Sequence, residues 1–282
     1  MVTDAEWVDL DNDTWPDLVL TGEWMPVSIF KNDQGVLKNR TNAAGLGNSN
    51  GWWFSLEKGD FDGDGDIDFV AGNFGENNQF KASVTEPMRY YIQDIDNNGR
   101  IDPILTYYID GISYPWPTRD ELMSQVSALK KQYVSYDSYA KTNTDEFLKT
   151  NNIEPRFTLE IFTLASAFIE NNGDETFSLK ALPKPVQDSA IQDFVYSDFD
   201  GDGTAEVLIA GNLFPFRVSQ GSIDASFGSM LSFDQGNFNL VPKSGKLWLD
   251  GDIKSLSVLK HTSGKKRLLV SRNNDHPSLY SY

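Results

Sequence analysis

The segment Asp60-Phe61-Asp62-Gly63-Asp64-Gly65-Asp66-Ile67-Asp68 carries acidic side chains at positions 1, 3, 5 and 9. These carboxylates would repel one another unless the segment curls around a hard cation, and Ca²⁺ takes six to eight oxygen ligands. Gly63 and Gly65 permit the positive-φ turns that such a curl needs. The apolar residues 69–72 that follow are typical of a short buried strand. The segment therefore predicts a calcium loop that leads into a strand.

The same pattern begins again at Asp9, Asp94 and Asp198. Every copy has an acid at positions 1, 3 and 9, Asp or Asn at position 5, and an apolar residue at position 2 that would anchor the loop in a core. Position 7 would offer its backbone carbonyl. The predicted ligand residues are Asp9, Asp11, Asp13, Trp15 and Asp17; Asp60, Asp62, Asp64, Asp66 and Asp68; Asp94, Asp96, Asn98, Arg100 and Asp102; and Asp198, Asp200, Asp202, Thr204 and Glu206.

These loops differ from an EF-hand, which needs Glu at position 12 and a helix on each side. Here position 12 falls inside an apolar run typical of a strand. One copy alone could be a solvated turn, because Asp and Gly favour turns. Four copies in matched surroundings favour up to four bound Ca²⁺ ions. At position 7 of the second loop, the Asp66 side chain is expected to point to solvent.

The loop pattern between strands, followed by Ala71-Gly72-Asn73, resembles the FG-GAP/VCBS repeat. The resemblance extends from about residue 5 to residue 274, apart from one insertion. It implies a calcium-binding β-propeller, as in the integrin α-chain head and many bacterial surface or secreted proteins. It also implies an extracellular, cell-surface or periplasmic location. The motif is specific for fold and metal, and poorly specific for biochemical activity.

The pattern of strands and turns predicts an all-β chain: about five four-stranded antiparallel blades in a single propeller domain, or propeller fragment, over residues 1–282. Since the family usually closes a ring of seven blades, the chain is either a fragment whose further blades come from a longer parent chain, or a subset closed by neighbouring chains. Asp94 follows Asp60 by only 34 residues. Residues 89–92 and 104–108 are therefore predicted to form the outer hairpin of the second blade, with a shortened third blade as the alternative. Residues 157–168 and 177–182 would complete a blade without a metal loop.

Residues 117–149 interrupt the repeats with a predicted helical insertion. Thr118 and Glu121 have the spacing of a capping box. Leu122, Val126 and Leu129 follow at helical spacing. A second short helix is predicted over residues 142–149. The insertion is either a decorative cap or a lid over a ligand.

Composition argues against several classes of function and of site. The formal net charge of −17 argues against a nucleic-acid partner, because phosphate binding needs a basic face. The absence of cysteine excludes disulfides and thiolate metal sites. No apolar run approaches the ~20 residues of a membrane span, and no signal sequence is visible at the first residues. Neither His261 nor His276 neighbours a motif, which argues against a histidine-dependent triad.

Two classes of function remain open. The favoured one is a non-enzymatic module that binds a protein or a carbohydrate. Its candidate ligand-binding residues lie in proline-interrupted segments and are Tyr114, Trp116, Phe214 and Phe216. The alternative is a polysaccharide-acting lyase or hydrolase that uses acids outside the loops, such as Glu23, Glu76 and Asp110. Nothing in the sequence pairs these three acids.

Overall fold

The computed structural model describes residues 1–217, 221–242, 247–260, 264 and 266–282; His261 lies outside them. The chain divides into two compact units, one formed by residues 1–78 and 164–282 and the other by residues 79–163. Among the described residues, no helix has both the length and the apolar character needed to cross a membrane.

Strands dominate the first unit, the second unit combines four strands with three α-helices, and all sheets pair antiparallel. In chain order the strands are β1 (Val2–Val8), β2 (Asp17–Met25), β3 (Ser28–Asp33), β4 (Val36–Asn39), β5 (Gly51–Trp52), β6 (Ser55–Gly59), β7 (Asp68–Gly72), β8 (Met88–Ile92), β9 (Ile104–Ile109), β10 (Ile112–Pro115), β11 (Phe157–Ile161), β12 (Ala167–Asn171), β13 (Phe177–Ala181), β14 (Ile191–Ser197), β15 (Glu206–Gly211), β16 (Ser229–Asp234), β17 (Asn237–Leu240), β18 (Ile253–Lys260), β19 (Lys266–Arg272) and β20 (Ser278–Ser281). The helices are α1 (Arg119–Gln125), α2 (Tyr136–Ala140) and α3 (Thr144–Thr150), with 3₁₀ turns at Ser127–Lys131 and Lys184–Val186.

The first unit contains four sheets, which we call the first to fourth blades. Their strand orders are β1-β2-β3-β4, β6-β7-β12-β13, β14-β15-β16-β17 and β18-β19-β20, and β5 pairs with β2 beside the first blade. The second unit contains one sheet, β10-β9-β8-β11. The prediction of an all-β chain built from four-stranded antiparallel blades is confirmed.

The hydrophobic cores of the first unit lie between neighbouring blades. Side chains alternate between the two faces of a strand, so each blade supplies one face to each neighbour. Three buried clusters result, shared by the first and second, second and third, and third and fourth blades. Members of these clusters include Val19, Ile29 and Phe69; Val70, Phe194 and Ile209; and Leu208, Leu256 and Leu268.

The second blade is completed by strands that lie about 95 residues further along the chain. In β12, Ala167 pairs with Ala71 and Ile169 pairs with Phe69. The prediction that residues 89–108 form the outer hairpin of this blade is therefore wrong, because β8 and β9 belong to a separate sheet. The predicted blade without a metal loop is also wrong, since β13 is the outer strand of the second blade. Local spacing carries no information about a strand pair this distant.

The second unit has its own core. The predicted capping box is present: the N–H of Glu121 donates to the Thr118 hydroxyl, and the Thr118 N–H donates to the Glu121 carboxylate. The helix ends at Gln125, because Val126 adopts a non-helical conformation. Its apolar side chains and those of α3 pack with residues from the sheet of the same unit; the cluster contains Leu122, Val126, Leu129, Tyr133, Phe147, Ile153 and Ile104. The interruption of the second blade thus carries a sheet as well as the helices expected at 117–149.

Candidate metal centres

Each of the four loops brings three acidic side chains together. One carboxylate oxygen from each member lies within 4.8 Å of the corresponding oxygens of the other two. The groups are Asp9, Asp11 and Asp13; Asp60, Asp62 and Asp64; Asp94, Asp96 and Asp102; and Asp198, Asp200 and Glu206. Such a cluster of carboxylate oxygens can hold a metal ion.

The acid at position 9 is the buried anchor of every loop. Asp17, Asp68, Asp102 and Glu206 are all at most 6 % exposed. Each accepts a hydrogen bond from the backbone N–H of position 2, over 3.2 Å from Leu10, 3.3 Å from Phe61, 3.0 Å from Ile95 and 2.9 Å from Phe199. This bond ties the last residue of the loop to its beginning. Position 9 is the first residue of the following strand in three loops, and Asp102 lies two residues before β9, so the sheet holds the loop in place.

The acids at positions 1 and 5 shape the turn. The carboxylate of Asp9 accepts the N–H groups of Asp13 and Thr14 at 3.1 and 2.8 Å, and that of Asp198 accepts those of Gly201 and Gly203. The side chain at position 5 accepts the N–H of position 7 in every copy, over 2.7 to 3.0 Å. The loop thus curls as the sequence predicts. That the backbone carbonyl of position 7 binds the metal stays a prediction.

Positions 4 and 6 have positive φ in all four loops. Two loops place glycine at both positions, and the third has Asn97 and Gly99. The first loop instead has Asn12 at φ 59° and Thr14 at φ 75°. Asn tolerates the left-handed region, but a β-branched residue there is strained. The first loop therefore reaches the shared shape at a conformational cost that the others avoid.

Burial and crowding raise the pKa values of several loop acids. Burial raises the pKa of Asp68 to about 7, with Asp62 and Asp66 adding repulsion and two backbone N–H donors opposing the shift. Burial also raises the pKa values of Asp17 and Glu206. A cation between these carboxylates would favour their charged forms. The loops are therefore electrostatically suited to a positive ion.

Two oxygens of the loops have unmet hydrogen-bonding capacity. Asp11 Oδ1 and Asp66 Oδ1 are buried and have no hydrogen-bond partner among the described residues. Asp66 was expected to point to solvent, yet it is half-buried and burial raises its pKa to about 6, with further repulsion from Asp64 and Asp62. Hard oxygen atoms of this kind are what an alkaline-earth cation takes as ligands. The donor set thus fits a cation of that class.

Lys31 is a feature of the first loop that the sequence analysis missed. Its ammonium contacts Asp11 Oδ2 and also lies 3.1 Å from Glu175 of the second blade. Asn32, the next residue, donates its N–H to Asp17 Oδ1 over 2.7 Å. The first loop thus receives a fixed positive charge and a backbone donor from β3. No local spacing signals this, because the contact depends on strand pairing.

The predicted ligand-binding aromatics fall in both units. In the second unit, Tyr114 lines a recess together with Tyr107, Pro115 and Tyr139, and the Trp116 ring packs edge-on against Phe80 at 5.4 Å. In the first unit, Phe214 is 43 % exposed. Phe216 contacts the rings of Trp52 and Phe74.

The acids considered for catalysis lie in different surroundings. Glu23 accepts a hydrogen bond from the Trp52 indole N–H at 3.2 Å. The N–H of Glu76 donates to the Gln187 carbonyl over 2.7 Å. Asp110 lies at the β9–β10 turn of the second unit, with φ 48°. The enzyme alternative stays a prediction.

The match to a known protein family covers the first two loops and the strands between them. Residues 9–71 match the FG-GAP-like repeat. The matched segment begins at the first acid of the first loop and ends in β7, so it contains both the first and second loops. No curated protein matches the chain. The loops at Asp94 and Asp198 lie outside the matched segment and have the same position-9 anchor as the two loops inside it.

Proposed function

We propose that each of the four loops binds one Ca²⁺ ion and that the ions stiffen the blades. The observation that carries this proposal recurs in all four loops: three carboxylates lie within 4.8 Å of one another, and the loop has a buried position-9 acid fixed by a backbone N–H. That acid is itself one of the three in the third and fourth loops. The ligand set is all oxygen, which suits calcium better than zinc or copper. When bound, the ion would neutralise the clustered negative charge and link both ends of each loop.

Within this proposal, the residues of a loop have separate tasks. Positions 1, 3 and 5 supply exposed or half-buried side-chain oxygens. Position 9 is held in the sheet or within two residues of it, and sets where the site lies. Crowded carboxylates destabilise the fold when no counter-charge is near, because their mutual repulsion is relieved on unfolding. Calcium should therefore contribute substantially to stability.

Thermal unfolding with and without calcium tests this proposal. A ligand present at ~100 times its Kd stabilises the folded state by ~2.7 kcal/mol per site. Chelation of protein shown to carry calcium should lower the melting temperature by many degrees, and added Ca²⁺ should restore it. Addition of Mg²⁺ in place of Ca²⁺ is the control. An unchanged melting temperature after verified removal of calcium would refute the proposal.

We further propose that the protein is an extracellular binding module for a protein or a carbohydrate. The match to an FG-GAP-like repeat supports a binding role on a blade scaffold. The tyrosine-lined recess of the second unit offers a place for the ligand, since Tyr107, Tyr114 and Tyr139 present aromatic rings with polar tips. Aromatic rings of this type stack on sugar rings and pack on peptide side chains.

A glycan and protein screen with matched variants tests the binding role. Tyr114→Ala removes one wall of the recess and should reduce binding of any ligand found by at least about tenfold, as for a hot-spot aromatic. Tyr136→Ala is the control, because Tyr136 is 65 % exposed and is not among the residues of the recess. Equal binding by the two variants would place the ligand elsewhere.

A further inference from the structure

The first blade has an exposed apolar row that matches a buried row in the next two blades. In the second blade, Phe69 pairs with Ile169, and both belong to the core shared with the preceding blade. In the third blade, Val207 pairs with Leu231 in the equivalent core. Phe69 and Val207 each directly follow the ninth residue of their loop, and Leu18 holds this position in the first blade.

Leu18 is flanked across the sheet by Trp7 on one side and Phe30 on the other. We call these three residues the leading row. Leu18 and Phe30 are half-buried, whereas their counterparts in the second and third blades are at most 1 % exposed. Trp7 extends the row and is 52 % exposed; its position is held by Lys58 in the second blade and by Tyr196 in the third. Contiguous exposed apolar side chains are typical of interaction surfaces.

The fourth blade exposes the complementary face. Val19, Val70 and Leu208 face the following blade and are at most 2 % exposed. By strand register, Leu269 is their counterpart in the fourth blade, yet it is half-buried. It pairs with Leu279, which is 49 % exposed. We call Leu269 and Leu279 the trailing row.

We propose that a second copy of this chain packs its trailing row against the leading row. Leu18 and Phe30 of the leading row, and Leu269 and Leu279 of the trailing row, are apolar residues at the strand positions that form the blade interfaces within one chain. The contact is therefore a continuation of an interface that the fold already uses. Since the two surfaces differ, the association is heterologous, which produces closed rings or open chains of subunits.

Sedimentation velocity in calcium over a wide range of protein concentration tests this proposal. The wild-type chain should gain mass with concentration. Trp7→Glu and Leu279→Glu, each in one row, should weaken association at least about tenfold, because a charge would be buried in an apolar contact. Both side chains are about half exposed in one chain, so neither change should disturb the fold. Unchanged melting temperatures verify this.

A mixture of the two variants gives the sharpest result. Trp7→Glu leaves the trailing row intact and Leu279→Glu leaves the leading row intact, so the mixture should form a complex of two chains and grow no further. Val36→Asp is the control, since Val36 is 60 % exposed and lies on the opposite face of the first blade from Phe30. A wild-type chain that stays single at every concentration would overturn the proposal, as would variants that associate like the wild type.

Discussion

Asp68 Oδ1 accepts the N–H of Asn171 over 2.8 Å, across 103 residues of chain. In the first blade, Asp17 Oδ1 accepts the N–H of Asn32 over 2.7 Å, across only 15 residues. Both asparagines follow the strand segment that pairs with the residues directly after the loop. The ninth acid thus ties its loop to the third strand in both blades. Asn171 donates to the ninth acid of the second blade as Asn32 does in the first blade. This equivalence identifies β12 as the third strand of the second blade.

Replacement of Asp68 by Ala should destabilise the protein even without calcium. The variant leaves the N–H groups of Phe61 and Asn171 without their acceptor in a buried region, which costs about 1–3 kcal/mol. Urea unfolding in chelator measures this cost. Asp64→Ala is the control, because Asp64 is exposed and should affect stability mainly when calcium is present. Equal losses for both variants in chelator would contradict the anchoring role.

Replacement of Thr14 by Gly should stabilise the first loop. Thr14 has φ 75°, where a non-glycine residue costs roughly 1–2 kcal/mol. Glycine removes that strain and gives back roughly 0.5–1 kcal/mol through the greater entropy of the unfolded chain. We expect a net gain below about 1 kcal/mol, measured by urea unfolding with saturating calcium. Thr204→Gly tests specificity, since Thr204 is not a positive-φ residue and the same change there should destabilise.

Excision of the entire second unit should leave the first unit folded. The Gly75 N–H donates to the Leu164 carbonyl over 2.8 Å, so the chain leaves and re-enters the first unit at neighbouring points. A short Gly/Ser linker from Asn78 to Leu164 should therefore preserve the β7–β12 pair and calcium-dependent melting. Replacing only residues 118–149 provides the comparison, because it exposes Ile104 and Ile153 of the second core. A shortened chain that fails to unfold cooperatively would show that the first unit needs the second.

The stability of the protein should fall as Glu57 ionises. Burial, followed by repulsion from Glu6, Asp193 and Asp4, raises the pKa of Glu57 to about 7, with Lys58 opposing. The folded state then holds this proton more tightly than the unfolded state. The resulting stabilisation is complete below the ordinary carboxylate pKa and is lost as pH rises through about 7.

Glu57→Gln keeps the side chain neutral and isolates this effect. The melting temperature of the variant should exceed that of the wild type at pH 8, and the gap should close toward pH 4.5. Glu154→Gln, at an exposed position, is the control for a change of one surface charge. A gap that does not vary with pH would show that Glu57 does not titrate as described.

The loops were predictable because their chemistry is local. Carboxylate spacing, positive-φ positions and the following apolar run lie within twelve residues, and the structure reproduces all three. The partner of β7 was not predictable, because pairing between Phe69 and Ile169 depends on what lies between them. The burial of Asp66 and the contact of Lys31 with Asp11 were missed for the same reason, since both depend on neighbours supplied by the fold.

The insertion within the second blade also affects the order in which parts of the chain can fold during synthesis. When β7 leaves the ribosome, β12 has not been synthesised, and at roughly 5–20 residues per second its arrival takes roughly 5–20 s. Until then the edge of β7 that pairs with β12 has no partner strand, whereas the second unit can already close its own core. The nascent chain therefore carries a half-built blade while a later segment folds ahead of it.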